Sequence, residues 1–245
     1  MKKALRTASI LLIMTTLFWN CKSEKAISET EFEQAVFYEI FPEIIDAIYV
    51  DIRKVPPPPP PPDFLEKRGY DVKSNHRKAY DLWEKSDENQ NRNNAWVKKK
   101  DSLHLDASPT YLIIYDTIAQ FEEGDVQELK KHFKHQNIVL PSKAIALNHG
   151  YTIDLKQLKT NHENLKFKYQ SEFPNGREFW RTQYNFHTSG LLGFNRILFD
   201  TTKTYGVLNG SFGLEFSNTV GFRIFIKKTD NGLWTIDEVI ETWAS

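Results

Sequence analysis

Four segments near the C-terminus constrain the fold of this chain more than any other part of it. They are separated by short turns and cover residues 191–199, 204–212, 219–228 and 233–242. Within the third segment, Val220, Phe222 and Ile224 occupy every second position. Period-two alternation of this length predicts strands with one buried and one wet face, and residues 230–232 (Asp-Asn-Gly) favour a tight hairpin. We therefore predict an antiparallel β-meander.

The N-terminal half predicts helices instead. Ser28 and Glu31 have the spacing of a capping box, and apolar residues follow at helical intervals as far as Ile48. Pro42 interrupts this stripe and predicts a kink, or a second helix that starts near Phe41. Together the two halves predict an α+β fold: N-terminal helices, a polyproline strut and a C-terminal antiparallel meander packed on the helices. The alternative is a curved sheet of the NTF2-like type.

Seven consecutive prolines occupy positions 56–62. Such a run forms a stiff polyproline II rod of about 22 Å without internal hydrogen bonds. Two interpretations stay open. The run is either a spacer or strut that packs along aromatic residues of its own chain, which we favour, or a docking motif for a partner protein.

The central region gives weaker patterns. Residues 71–103 predict helix around a polar centre, with a break near 91–94. We predict a strand over 111–118, a short helix capped by Asp125 and Glu128 and running to about 136, a helical segment over 151–165 and a strand over 165–171. The segments of the chain are then as follows: signal peptide 1–20, lipidated N-terminus and amphipathic helix 21–55, polyproline 56–62, helical polar region 63–108, and an α+β domain 109–245.

The first residues predict export. Lys2, Lys3 and Arg6 precede an apolar run that is too short to span a bilayer, which is the layout of a signal peptide. Cys21, the only cysteine, follows this run and cannot form an internal disulfide. We predict that Cys21 carries a lipid such as palmitate, which places the protein in the bacterial cell envelope on an extracytoplasmic membrane surface. The alternative is a secreted chain.

The charge balance and the short motifs argue against three kinds of function: nucleic-acid binding, metal or cofactor binding, and catalysis by a serine nucleophile. Removal of the signal leaves 29 basic against 32 acidic residues, which is not the basic footprint of a nucleic-acid-binding protein. We predict no metal or cofactor, because His132 and His135 lie among lysines and are interpreted as a solvated basic face. The string Asn-Gly-Ser-Phe-Gly at 209–213 lacks the spacing of a nucleophile elbow and is interpreted as the end of a strand.

Four charged residues are the candidates for a pocket of buried polar groups. Asp116 lies inside an apolar strand and Glu238 shares a predicted face with Trp234. Buried acids have shifted pKa values, and such shifts gather at functional sites. Pairing of these acids with Arg196 or Arg223 across the sheet is the simpler interpretation.

The sequence also resembles a known group of proteins. The segments GFNRILFDTTKTYGVL and GLWTIDEVIETWAS resemble the C-terminal part of uncharacterised lipoproteins of the Bacteroidota type, and YEIFPEIIDAIYVD before the prolines is similar to other members. Their Cys-Gly turn is missing from LNGSFGLEFSN. The resemblance implies a lipid-anchored envelope protein and carries no activity.

Two functions therefore stand as hypotheses. The first is a non-catalytic interaction or structural role, with an envelope protein as a possible partner. The second is a small-ligand-binding or hydrolytic protein with a pocket between the sheet and the helices. A concave cavity with convergent polar groups would distinguish the second from the first.

Overall fold

The computed structural model describes residues 27–103, 106, 108–140 and 149–245. The predicted signal peptide and Cys21 lie outside these residues. Within the described ranges, no helix has both the length and the apolar character needed to cross a membrane. The chain divides into two compact units, one ending at Ala35 and the other running from Val36 to Ser245.

Helices dominate the first part of the chain and strands the last. The helices are α1 (Glu29–Ile48), α2 (Pro62–Lys67), α3 (His76–Glu84), α4 (Asp87–Ser102), α5 (Asp125–His132) and α6 (Arg177–Arg181), with 3-10 turns at Ile52–Lys54 and Gln170–Glu172. The strands are β1 (Thr110–Ile114), β2 (Thr117–Ile118), β3 (Tyr151–Thr152), β4 (Leu165–Tyr169), β5 (His187–Phe194), β6 (Leu198–Phe199), β7 (Tyr205–Glu215), β8 (Asn218–Lys228) and β9 (Trp234–Ala244). The α+β prediction is confirmed.

Helix α1 starts as predicted but is not interrupted. The Ser28 backbone N–H donates to Glu31 (2.8 Å), and the Glu31 N–H donates to the Ser28 hydroxyl (3.2 Å), so the capping box is present. The helix then continues through Pro42, so the second helix predicted to start near Phe41 is wrong. Proline costs a helix interior about 3 kcal/mol. Phe41 and Ile44, on either side of Pro42, are completely buried, and this packing offsets the cost.

The proline segment is held by side chains of its own chain. The Tyr80 hydroxyl donates to the carbonyl of Pro60 (2.8 Å), and the Arg92 guanidinium to that of Pro58 (2.6 Å). The Trp96 indole N–H donates to the carbonyl of Val55 (3.0 Å). Polyproline carbonyls have no internal donors, so side chains of α3 and α4 supply them. These contacts are those of a strut packed along aromatic residues.

The predicted break at residues 91–94 is wrong, because α4 runs continuously through them. Its N-terminus is capped by the Ser86 hydroxyl, which accepts from the Asn89 N–H at 3.2 Å. Arg92 and Trp96, one turn apart, both reach the proline segment. Tertiary contacts therefore stabilise a stretch whose residues have low intrinsic helix propensity.

One mixed sheet organises the second unit. Its strand order is β4-β1-β5-β7-β8-β9, and β6 pairs with β7. The predicted meander is confirmed, since β5, β7, β8 and β9 pair antiparallel in sequence. Strand β1 pairs parallel with both β4 and β5, which the sequence did not indicate. Residues 151–165 contain β3 and turns in place of the predicted helix, and the strand predicted after them is β4.

The part of helix α1 that belongs to this unit, from Val36 onward, packs on one face of the sheet. The ring of Phe41 lies 5.4 Å from that of Phe167 on β4 and 6.2 Å from that of Phe194 on β5. At the opposite edge, Glu39 and Glu43 of the same helix accept the N–H groups of Trp234 and Ile236 on β9, at 2.8 and 2.9 Å. Six neighbouring strands span about 24 Å, roughly twice the diameter of a helix. The sheet must therefore curve around α1.

The other face of the sheet is only partly covered. Leu129 and Phe133 of the α5 region pack on Val207 of β7 and Phe225 of β8. The predicted caps of α5 are wrong: its N-cap is Gly124, and Asp125 turns inward to the sheet. Side chains alternate between the two faces of a strand, so Val207, Asn209 and Ser211 of β7 lie in this order on the face that carries α5. The helix begins above Asn209, so the sheet beyond it is open.

Candidate functional site: a cleft across the sheet

The open part of the sheet has a floor almost without side chains. Gly193 on β5 is opposite Ser211 on β7, and Ser211 is opposite Gly221 on β8. Trp243 on β9 is opposite Gly221 and closes this row at one end. At the other end, the Tyr115 N–H donates to the carbonyl of Leu192 at 2.9 Å, so Tyr115 lies beside β5. Two aromatic residues therefore flank a row of three small ones.

The small residues are required because the rings lean over them. A Cβ atom on Gly193 would lie 2.7 Å from Cδ2 of Tyr115, and one on Gly221 would lie 2.1 Å from Nε1 of Trp243. Any larger residue would displace the rings. Even so, Tyr115 is 44% exposed and Trp243 51% exposed. The rings therefore stay partly exposed to solvent instead of filling a core.

This feature, which we call the sheet cleft, has two lobes that share Tyr115 and Ser211. The first lobe has a volume of about 470 Å³ and the second about 280 Å³. The lining of the first lobe combines aromatic and other apolar surface with the neutral polar residues Thr117, Asn195, Asn209 and Thr242 and the charged residues Glu122 and Arg223. The second is lined by Gln170, Asn175, Thr219 and Glu215 with the aromatic residues Phe179, Trp180 and Phe216.

A buried ionic network forms the end of the first lobe nearest α5. Asp125 is fully buried, and its carboxylate accepts the Glu122 N–H (2.9 Å) and the Asn209 amide (2.7 Å). The Nη2 atom of Arg223 lies 3.4 Å from the same carboxylate, and its Nε donates to the side-chain amide oxygen of Asn209 at 2.9 Å. Glu128 lies 3.5 Å from Arg223. The network fixes Asn209 and Arg223, which line the lobe, in one orientation.

The far end of α5 carries a second charged cluster. His132 stacks on the ring of Phe225 at 3.8 Å and lies between two carboxylates, 2.7 Å from Asp237 and 3.3 Å from Glu238. Lys227 lies 2.6 Å from Asp237. The interpretation of His132 as part of a solvated basic face is wrong, because β9 brings these acids to it. Among the described residues, no group of three or more His, Cys, Asp or Glu could hold a metal ion.

We predict that Asp237 makes folding sensitive to acid. Partial burial acts to raise the pKa of Asp237, but hydrogen bonds from Lys227 and His132 outweigh it and hold the pKa below its usual 3.8. A lowered folded-state pKa contributes stability that is complete above the unfolded pKa and is lost as the pH falls through the folded one. Urea unfolding from pH 6 to pH 3 should show the stability gap between wild type and Asp237→Asn closing below about pH 4.

The matched control for that series is Asp230→Asn in the exposed β8–β9 turn. It should follow the wild type at every pH. A gap at Asp237 that stays constant from pH 6 to pH 3 would contradict the assignment.

The four pocket candidates from the sequence have separate surroundings. Asp116 lies at a bend after β1, not inside a strand, and accepts from the N–H (3.0 Å) and the hydroxyl (2.6 Å) of Ser171. Glu238 is exposed beside His132. Arg196 is buried and donates to the His149 carbonyl at 3.2 Å. Only Arg223 lines the sheet cleft, and its acidic partners are Asp125 and Glu128.

A second cleft of about 500 Å³ lies beyond the C-terminal end of α1, near the starts of β1 and β4. Three buried polar atoms without a hydrogen bond are in its lining: Nη1 of Arg53, Oγ1 of Thr110 and Nε2 of His162. Two of these atoms nevertheless have an acid nearby, with Asp106 3.6 Å from Arg53 and Asp46 3.2 Å from His162. The charged groups of the second cleft therefore have partners within the protein. We take the sheet cleft as the better candidate site.

Sequence reasoning missed the residues that build the sheet cleft. Ser211 was expected at the end of a strand, but β7 continues past it to Glu215. Gly193, Ser211 and Gly221 become neighbours only through the register of three strands. One sequence feature could have indicated the cleft: β5, β7 and β8 each carry a small residue on the wet face, where larger polar residues are usual.

Comparisons with protein-family models, with curated proteins and with solved structures found no match for this chain. The NTF2-like alternative and the lipoprotein resemblance therefore stay predictions.

Proposed function

We propose that this protein is a lipid-anchored component of the bacterial cell envelope with a non-catalytic role, and that it binds a ligand in the sheet cleft. The proposal joins two hypotheses from the sequence, an interaction role at the envelope and a ligand pocket beside the sheet. Its anchor is Cys21, after an apolar run, and its binding surface is the open face of the sheet.

One observation carries the binding role. Tyr115 and Trp243 are about half exposed and lie at opposite ends of the row formed by Gly193, Ser211 and Gly221. Large apolar side chains at the surface of a stable fold normally scatter singly. Here two of them, joined by a floor of small residues, line a cavity with polar groups, which is the composition of ligand sites.

The lining supports binding more than catalysis. Among the described residues around the sheet cleft there is no histidine or cysteine. A serine nucleophile is usually activated by an adjacent histidine, and this described lining supplies none to Ser211. Arg223, the cation of the first lobe, is held by Asp125 and Glu128 and serves to position Asn209.

The anchor is tested by mass spectrometry of the protein from the membrane fraction of its native host. We expect an acylated chain that begins at Cys21, and no acyl mass in Cys21→Ala. An unmodified chain cut elsewhere would contradict the anchored location.

The cleft is tested by filling it. Ser211→Phe places a ring in the floor, whereas Ser102→Phe changes the exposed end of α4 and is the control. A solubilised extract of host envelope should raise the Tm of the full wild-type chain and of Ser102→Phe, and leave that of Ser211→Phe unchanged. If Ser211→Phe does not fold, Tyr115→Ala with Trp243→Ala gives the same comparison. An equal rise in all variants would overturn the cleft as the binding site.

A further inference from the structure

We infer that the ligand of the sheet cleft is a neutral glycan, bound as a chain of at least two sugar units. This inference rests on the proposed function and adds the chemical class of the ligand. Three features of the sheet cleft support this class of ligand: the exposed rings, the polar groups of the lining and the charge of the lining.

The rings match one side of a sugar. A pyranose ring presents a face of C–H bonds, which packs on the electron-rich face of an aromatic ring. Tyr115 and Trp243 lie over β5 and β8, two strand spacings or about 10 Å apart. The rings cover Gly193 and Gly221, so Ser211 forms the floor between them, and the first lobe of about 470 Å³ has room for a sugar ring.

The polar groups match the rim of hydroxyls. Amide side chains both donate and accept, as hydroxyl groups do, so Asn and Gln suit a ligand with many of them. Asn195 and Asn209 line the first lobe, and Gln170 and Asn175 the second. Asn209 is fixed by Asp125 and Arg223, so its orientation is set before a ligand arrives.

The charge of the lining argues against the main competitors. A nucleotide or an acidic glycan requires free cations, but Arg223 is already paired with two carboxylates. A fatty acyl chain would leave the many amide and hydroxyl groups without partners. A peptide strand would add to a sheet edge, and this cleft lies across the face of four strands.

The two lobes set the minimum length. They meet at Tyr115 and Ser211, so a ligand in the first lobe continues directly into the second. The second lobe has two aromatic residues of its own. Phe216 is exposed, and Trp180 lies over Gly213 on β7. Aromatic surface in both lobes indicates stacking of more than one sugar.

The experiment is titration of the purified full chain with neutral oligosaccharides. The probes are the hexaoses of maltose, cellulose, mannan and chitin type, followed by an array of neutral glycans. The readouts are calorimetry and quenching of tryptophan fluorescence. We expect at least one neutral glycan to bind, Trp243→Ala to weaken it about tenfold or more, and Trp180→Ala to weaken the hexaose more than its disaccharide. The exposed Leu233→Ala is the control and should bind as wild type does.

The outcomes separate this inference from the proposed function. Stabilisation by envelope extract without binding to any neutral glycan would overturn the glycan and leave the proposed function standing. Failure of both would overturn both. Binding of acidic glycans, peptides or acyl chains alone, or glycan binding that Tyr115→Ala and Trp243→Ala do not change, would also overturn the inference.

Discussion

Replacement of Asp125 by alanine is expected to lower the free energy of unfolding by roughly 3 to 5 kcal/mol, because it removes one partner of a buried ion pair. Asp125 has no exposed surface, and its carboxylate accepts from Asn209, Arg223 and the Glu122 N–H. The variant would leave the guanidinium of Arg223, which is only 18% exposed, without its most buried partner. Urea unfolding of the full chain measures the change.

Glu128→Ala is the matched control for Asp125→Ala. Glu128 approaches the same guanidinium at 3.5 Å but is 34% exposed, so water can replace it. We expect a loss below about 1 kcal/mol, the range of exposed pairs. Equal losses in the two variants would show that charge alone, and not burial of Asp125, stabilises the network.

Replacement of Gly190 by alanine, as a separate variant, is expected to lower the free energy of unfolding by roughly 3 to 5 kcal/mol, for two independent reasons. Gly190 has a φ of +131°, a conformation that L residues rarely adopt. A Cβ at this position would also lie 2.5 Å from the carbonyl oxygen of Gly213, and backbone in the middle of a sheet cannot move aside. The position follows a register shift between β1 and β5.

Gly69→Ala separates the two contributions. Gly69 has a φ of +84°, but a Cβ there would meet nothing within 4 Å. Its cost should be the backbone penalty alone, about 1 to 2 kcal/mol, by urea unfolding under the same conditions. A Gly190→Ala loss no larger than this would contradict the close approach to Gly213.

The strands that the sequence predicted best are those with a simple alternation of burial. The meander of β7, β8 and β9 follows from residues such as Phe222 and Ile224, which need no knowledge of distant partners. The capping box at Ser28 follows from local hydrogen bonds in the same way. Predictions failed where distant contacts outweigh local preference, as at Pro42 and at residues 91–94.

The candidate site could not be found from the sequence for a related reason. Gly193, Ser211 and Gly221 are far apart in the chain, and only strand register makes them neighbours. Asp125 was interpreted as a helix cap, because capping is the local use of an acid at that position. Its actual partner, Arg223, is on a strand 98 residues away.

The sequence by itself determined the α+β class, the start of the N-terminal helix and a C-terminal meander with one wet face, because propensity and periodicity are local properties. Only the tertiary structure decided that the sheet curves around α1, that α5 covers only part of the opposite face, and that Tyr115 and Trp243 flank a floor of small residues. These features depend on strand register and on packing between residues distant in the chain, and a single sequence does not encode either in any local pattern.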